Sequence, residues 1–162
     1  GRSVNPTEVD LIDFVIREAR ILDEQQYEEW LELFTEDGIY WMPLEFGQTE
    51  EKLTTSLMYE DLLLLKTRVQ RLSGKRTYSQ LPKSRCQHLL QTPTVDKIDA
   101  TNNEYRVFTP FHYVESRNDE KELYAGWMKH SLIVEDEKLK IKLKRVDLVN
   151  CDSPHRNIQL FI

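Results

Sequence analysis

An α+β fold, with helices gathered on one face of an antiparallel sheet, is what this 162-residue chain predicts. Helical periodicity is confined to the first half of the chain, and from about residue 85 the composition turns to Val, Ile, Tyr, Phe and Thr. Turn-forming triplets then cut this second half into strand-length pieces.

Each element has its own signal. Thr7 followed by Asp10 reads as a capping box with Asp in place of Glu. Val9, Ile12, Ile16 and Ala19 then fall on one helical face, which is the expected core face. After a polar break at Asp23–Gln26, Tyr27, Trp30, Leu31 and Phe34 repeat the spacing, and Asp37-Gly38 is expected to end this second helix. Ile39-Tyr40-Trp41-Met42 reads as a short strand stopped by Pro43. Residues 45–55 are polar and irregular, as in a loop. Met58, Leu62, Leu65, Val69 and Leu72 form the stripe of a third helix, closed by Gly74. Strands are expected over 85–92, 103–117, 121–136 and 138–150. Turns separate them at Thr101-Asn102-Asn103, Arg117-Asn118-Asp119 and Glu135-Asp136-Glu137.

The last strand, KLKIKLKRVDLVN, alternates lysines 138, 140, 142 and 144 with Leu139, Ile141 and Leu143. Alternation puts the apolar set inward and the lysines in water. The apolar parity then shifts to Val146 and Leu148, which predicts a β-bulge near Lys144-Arg145-Val146 or cover on both faces.

Length and composition set the outer limits. The chain suits one domain, residues 1–162, and 40% hydrophobic with 31% charged residues is ordinary for a soluble globular protein. A net charge of -6 argues against a nucleic-acid binder, which needs clustered bases to release counterions. No apolar run reaches the ~20 residues that span a bilayer, and the start lacks a signal-peptide core. The missing initiator Met suggests a trimmed or tagged chain, and the expected location is the cytoplasm. Charge is segregated: residues 7–37 hold eleven acids and two bases, residues 66–85 seven bases and no acid. These runs either pair within the chain or orient subunits in an assembly.

Chemistry-bearing motifs are scarce. The four histidines, 88, 112, 130 and 155, lie in separate segments, with no HExxH and no Rieske spacing, so no metal is expected. Cys86 and Cys151 have neither CxxC spacing nor the density of a disulfide framework. Five glycines without a Gly-rich strand-to-helix turn exclude the dinucleotide and P-loop fingerprints. No serine sits in GxSxG. One catalytic reading survives: a curved sheet could enclose Asp37, Tyr40, His88 and His112, and burial could tune such a set for proton transfer beside a carbonyl.

Three stretches carry a resemblance: LDEQQYEEWLELFTEDGIYWMP (22–43), YEDLLLLKTRVQRLSGKRTYSQLPKSRCQHLLQTPTV (59–95) and LKRVDLVNCDSPHRNIQLFI (143–162). In this order the chain resembles the small (β) subunit of aromatic ring-hydroxylating dioxygenases, the Rieske non-heme iron oxygenases, from about Leu11 to Ile162. QTPTV departs from the Asn-Val ending more usual there. The resemblance implies the cone-shaped α+β fold of the nuclear-transport-factor-2-like superfamily. It implies a large α subunit that carries the Rieske iron–sulfur cluster and the mononuclear iron, and no cofactor in this chain. It further implies three α and three β chains, with electrons from NAD(P)H through a reductase and, in some systems, a ferredoxin. The expected role is therefore a non-catalytic structural subunit of an enzyme that cis-dihydroxylates an arene. The alternative is a stand-alone cone-fold dehydratase, isomerase or hydrolase using Asp37, Tyr40, His88 and His112 on a small apolar substrate.

Overall fold

A computed structural model describes residues 5–43, 56–78, 84–117, 120–149 and 161–162. In chain order these form α1 (Glu8–Asp23), α2 (Tyr27–Leu31), β1 (Phe34–Pro43), β2 (Ser56–Asp61), α3 (Leu62–Tyr78), β3 (Arg85–Leu90), β4 (Thr94–Asp99), β5 (Glu104–Arg117), β6 (Glu120–Glu135) and β7 (Lys138–Leu148). The class is α+β, as expected. One seven-stranded sheet runs β2-β1-β7-β6-β5-β3, and β4 pairs with the other half of β5. Every described pairing is antiparallel except β1 with β7. The sheet curves round the helices, and the core fills its concave side.

The Thr7–Asp10 capping box forms, with Asp10 N–H donating to Thr7 Oγ1 at 3.2 Å and Thr7 N–H to Asp10 Oδ2 at 2.9 Å. The buried face of α1 is rotated from the expected one: Ala19 is buried and Ile12 half-buried as expected. Val9 and Ile16 are 64% and 48% exposed, while Leu11, Val15, Glu18 and Leu22 are fully buried. A carboxylate in the middle of the buried stripe breaks the apolar pattern that would have marked it.

The second helix is shorter than its spacing suggests. It ends at Leu31, and Phe34 opens β1, its ring 5.0 Å from Trp30 in an edge-to-face contact. Asp37-Gly38 therefore lies inside a strand and terminates no helix. The β1–β7 register slips between Phe34 and Ile39. A Cβ on Gly38 would stand 2.9 Å from the carbonyl oxygen of Ile141, so the chain needs a residue without a side chain there.

Two strands carry no clear sequence signal. β2 takes Met58 out of the expected helix and pairs with β1, and β4 follows Pro93. The third helix starts at Leu62, where Asp61 Oδ1 accepts from Leu64 N–H at 2.9 Å, and it runs past Gly74 to Tyr78. The 45–55 loop lies outside the described residues, as does most of the 117–119 turn.

In β7 the bulge sits two residues before the expected place. Ser131 pairs with Leu143 and Leu132 with Ile141, so Lys142 is the extra residue. Inward parity is thereby transferred from Ile141 to Lys144, Val146 and Leu148, all at 0% exposure. Lys138 and Lys142 face water as expected; Lys144 does not.

Candidate functional site

The curved sheet and the helices bring five polar or aromatic side chains to one point inside the core. Glu18 comes from α1, Trp30 from α2, Tyr40 from β1, His130 from β6 and Lys144 from β7, and none is more than 1% exposed. Glu18 accepts three N–H donors: Trp30 Nε1 at 2.9 Å and Lys144 Nζ at 2.7 Å on Oε2, and His130 Nε2 at 2.9 Å on Oε1. Lys144 Nζ also donates to the main-chain oxygen of Ile162 at 2.7 Å, and Tyr40 Oη donates to the same oxygen at 3.2 Å. Burial alone would push the Glu18 carboxyl up. The Lys144 charge and His130, with their hydrogen bonds, overcome it and hold the group far below the usual carboxylate range. Burial, with the Glu18 charge, drives the Tyr40 hydroxyl well above its ordinary value, so it serves as a donor.

A second polar cluster lies on β3, β5 and the end of α1. Asp23 accepts from the His88 main-chain N–H at 2.9 Å and from its Nδ1 at 2.6 Å. Tyr113 Oη donates to Glu115 Oε1 at 2.8 Å. The Cys86 thiol points at the Leu22 carbonyl, 3.6 Å away, and burial with the nearby Asp23 charge pushes it up to about 12.

The four residues expected to line one pocket do not meet. Tyr40 is fully buried in the first cluster and His88 in the second. Asp37 is exposed, accepting from Thr35 Oγ1 at 2.7 Å, a bond that lowers its pKa. His112 is exposed on the outer sheet face, opposite Leu89 and Ala125. Strand parity decides this: Tyr40 and His88 point inward, Asp37 and His112 outward. Sequence reasoning passed over Glu18, Asp23 and Lys144. The one available signal was the parity break in β7, which marks a bulge without saying which lysine it turns inward.

Chemically, the first cluster holds charge and moves none to solvent. Each Glu18 oxygen is committed to N–H donors, and among the described residues no group of three or more His, Cys, Asp or Glu side chains is placed to hold a metal ion.

The curved sheet wrapped round its helices is a cone-shaped α+β fold. The chain belongs to the ring hydroxylating beta subunit family, whose description it matches over residues 17–153. It is 27% identical over 164 residues to the 2-halobenzoate 1,2-dioxygenase small subunit of Burkholderia cepacia, covering 98% of each chain. It is 28% identical to the small oxygenase component of the p-cumate 2,3-dioxygenase system of Pseudomonas putida, covering 96% of this chain and 87% of that one. The crystal structure of the beta subunit of benzoate 1,2-dioxygenase from Burkholderia mallei shares the fold, with a TM-score of 0.79 at 23% identity over 98% of this chain and 99% of that one. The protein is thus the small subunit of a multicomponent aromatic-ring dioxygenase, and works with an alpha subunit.

Proposed function

We propose that this chain is the structural, non-catalytic member of its dioxygenase, acting as one domain over residues 1–162. In this reading the alpha subunit holds the Rieske cluster and the mononuclear iron. Three alpha and three beta chains assemble in the cytoplasm. Electrons arrive from NAD(P)H through a reductase, with or without a ferredoxin, and the arene leaves as a cis-dihydrodiol. The basic run at 66–85 is a candidate contact region, although Lys66 already faces Glu28, Glu32 and Glu36 of its own chain across a groove.

The observation that supports this reading most is the dispersal of the interior acids and histidines: among the described residues no group of three or more His, Cys, Asp or Glu side chains is placed to hold a metal ion. An iron centre needs several ligands converging on one point, whereas Glu18 is engaged by Trp30, His130 and Lys144, and Asp23 by His88 in a separate cluster. These residues do not fit an iron centre. No residue of the described set is therefore given a step in oxygen chemistry.

The test is to purify the chain alone and together with its alpha subunit. The chain alone is expected to hold no stoichiometric iron, and the complex to show a Rieske-type spectrum. Asp37→Asn and His112→Ala in the complex are expected to leave turnover unchanged. Tightly held iron in the lone folded chain, or lost turnover in an intact complex carrying either substitution, would overturn the reading.

A further inference from the structure

Phe161 sits in the buried core, its ring surrounded by other aromatic side chains. Trp30 lies tilted across it with centroids 4.6 Å apart, Tyr27 and Tyr40 present edges at 5.7 and 6.0 Å, and the Arg68 guanidinium carbon stands 5.7 Å from the ring centre. Arg68 is fixed in turn by an ion pair with Glu60. The adjoining Ile162 oxygen is pinned by Lys144 and Tyr40. Phe161 itself is 1% exposed.

From this cage we infer that the subunit contains an arene-binding pocket that it occupies in cis, and that the pocket takes a small electron-rich arene once the Phe161 ring is removed. The lining explains the class. Three aromatic rings and a cation surround one flat ring, and the guanidinium favours a guest with a negative π face. A hole lined only by aliphatic side chains would have no such preference. The pocket is distinct from the structural role proposed above, because it needs no alpha subunit and no iron.

Phe161→Ala in the full chain vacates the ring site while leaving Ile162 and its two donors in place. A buried hole of one-ring size lined by apolar side chains takes up benzene, and here the Trp30, Tyr27 and Tyr40 rings supply most of that lining. The experiment titrates the folded variant and the unmodified chain with benzene and with 1,3,5-trifluorobenzene, whose π face is nearly neutral, and follows binding by calorimetry and melting temperature. Benzene is expected to bind the variant and raise its melting temperature, with 1,3,5-trifluorobenzene about fivefold weaker and the unmodified chain taking neither. Equal binding of the two probes, or no binding to a folded variant, would overturn the inference. If the variant does not fold unaided, its refolding yield with each probe reads the same preference: recovery favouring benzene supports the pocket, and no recovery with either overturns it. Both readouts use this chain alone, so a negative result leaves its place in the dioxygenase untouched.

Discussion

Lys144 shows how much one residue's position can change its meaning. In the sequence it is the fourth member of an exposed lysine stripe; in the fold it is fully buried and tied to Glu18 and Ile162. Such a pair contributes little net stability, since both charges leave water, yet removing one partner strands the other. Lys144→Met and Glu18→Gln are therefore each expected to cost about 3–5 kcal/mol, read from urea unfolding, because each leaves the other charge buried without its partner. Glu18 ionises more readily in the folded chain than in the unfolded one. Its contribution is complete above the ordinary carboxylate value of 4.5 and is lost as the pH falls below it. Glu18→Gln should accordingly flatten the acid side of the stability curve; an unchanged acid slope would refute the assignment. Cys86 offers a simpler check. With its thiol pushed up to about 12, it should react with a disulfide reagent at pH 8 far more slowly in the folded chain than after unfolding, in a Cys151→Ser background.

At the scale of elements, local rules worked where an element answers to its own sequence. The capping box of α1, the turns at 101–103 and 135–137, and the long strands β5 and β6 all stand close to where the residues place them. They failed where a neighbour decides. Phe34 has helical spacing from Trp30, but pairing with Ile141 draws it into β1. β2 exists because β1 offers it an edge. Gly126 records another such demand, because a Cβ there would stand 1.9 Å from the Asp147 carbonyl oxygen across the β6–β7 ladder. Gly126→Ala is expected to cost about 1–3 kcal/mol, since the obstruction is backbone and cannot rotate away. Thr7→Ala, which removes only a cap, should cost about 1 kcal/mol. Thermal unfolding of the two variants ranks them directly, and the reverse order would contradict the packing described.

For the whole molecule, membership in an assembly has a thermodynamic consequence. The alpha subunit binds the folded small subunit, so complex formation should raise the small subunit's apparent melting temperature in a concentration-dependent way. The outer sheet face carries exposed apolar side chains, Leu89 and Leu123 at 69% and 59% exposure, that a partner could cover. Differential scanning fluorimetry of the lone chain and the complex at several concentrations makes the comparison. A melting temperature unchanged by the partner would argue against mutual stabilisation.

The fold class, the order of most elements and the family were legible in the residues, because capping, alternation, turn chemistry and a long motif match each act over short stretches of chain. The interior was not. Glu18 meets His130 and Lys144 across separations of 112 and 126 residues, and no periodicity within α1 or β7 announces the meeting. The same holds for the dispersal of Asp37, Tyr40, His88 and His112, which strand parity and sheet curvature decide together. A side chain's direction is a local property, but what it faces is set by how the sheet closes around the helices, and only the tertiary structure supplies that.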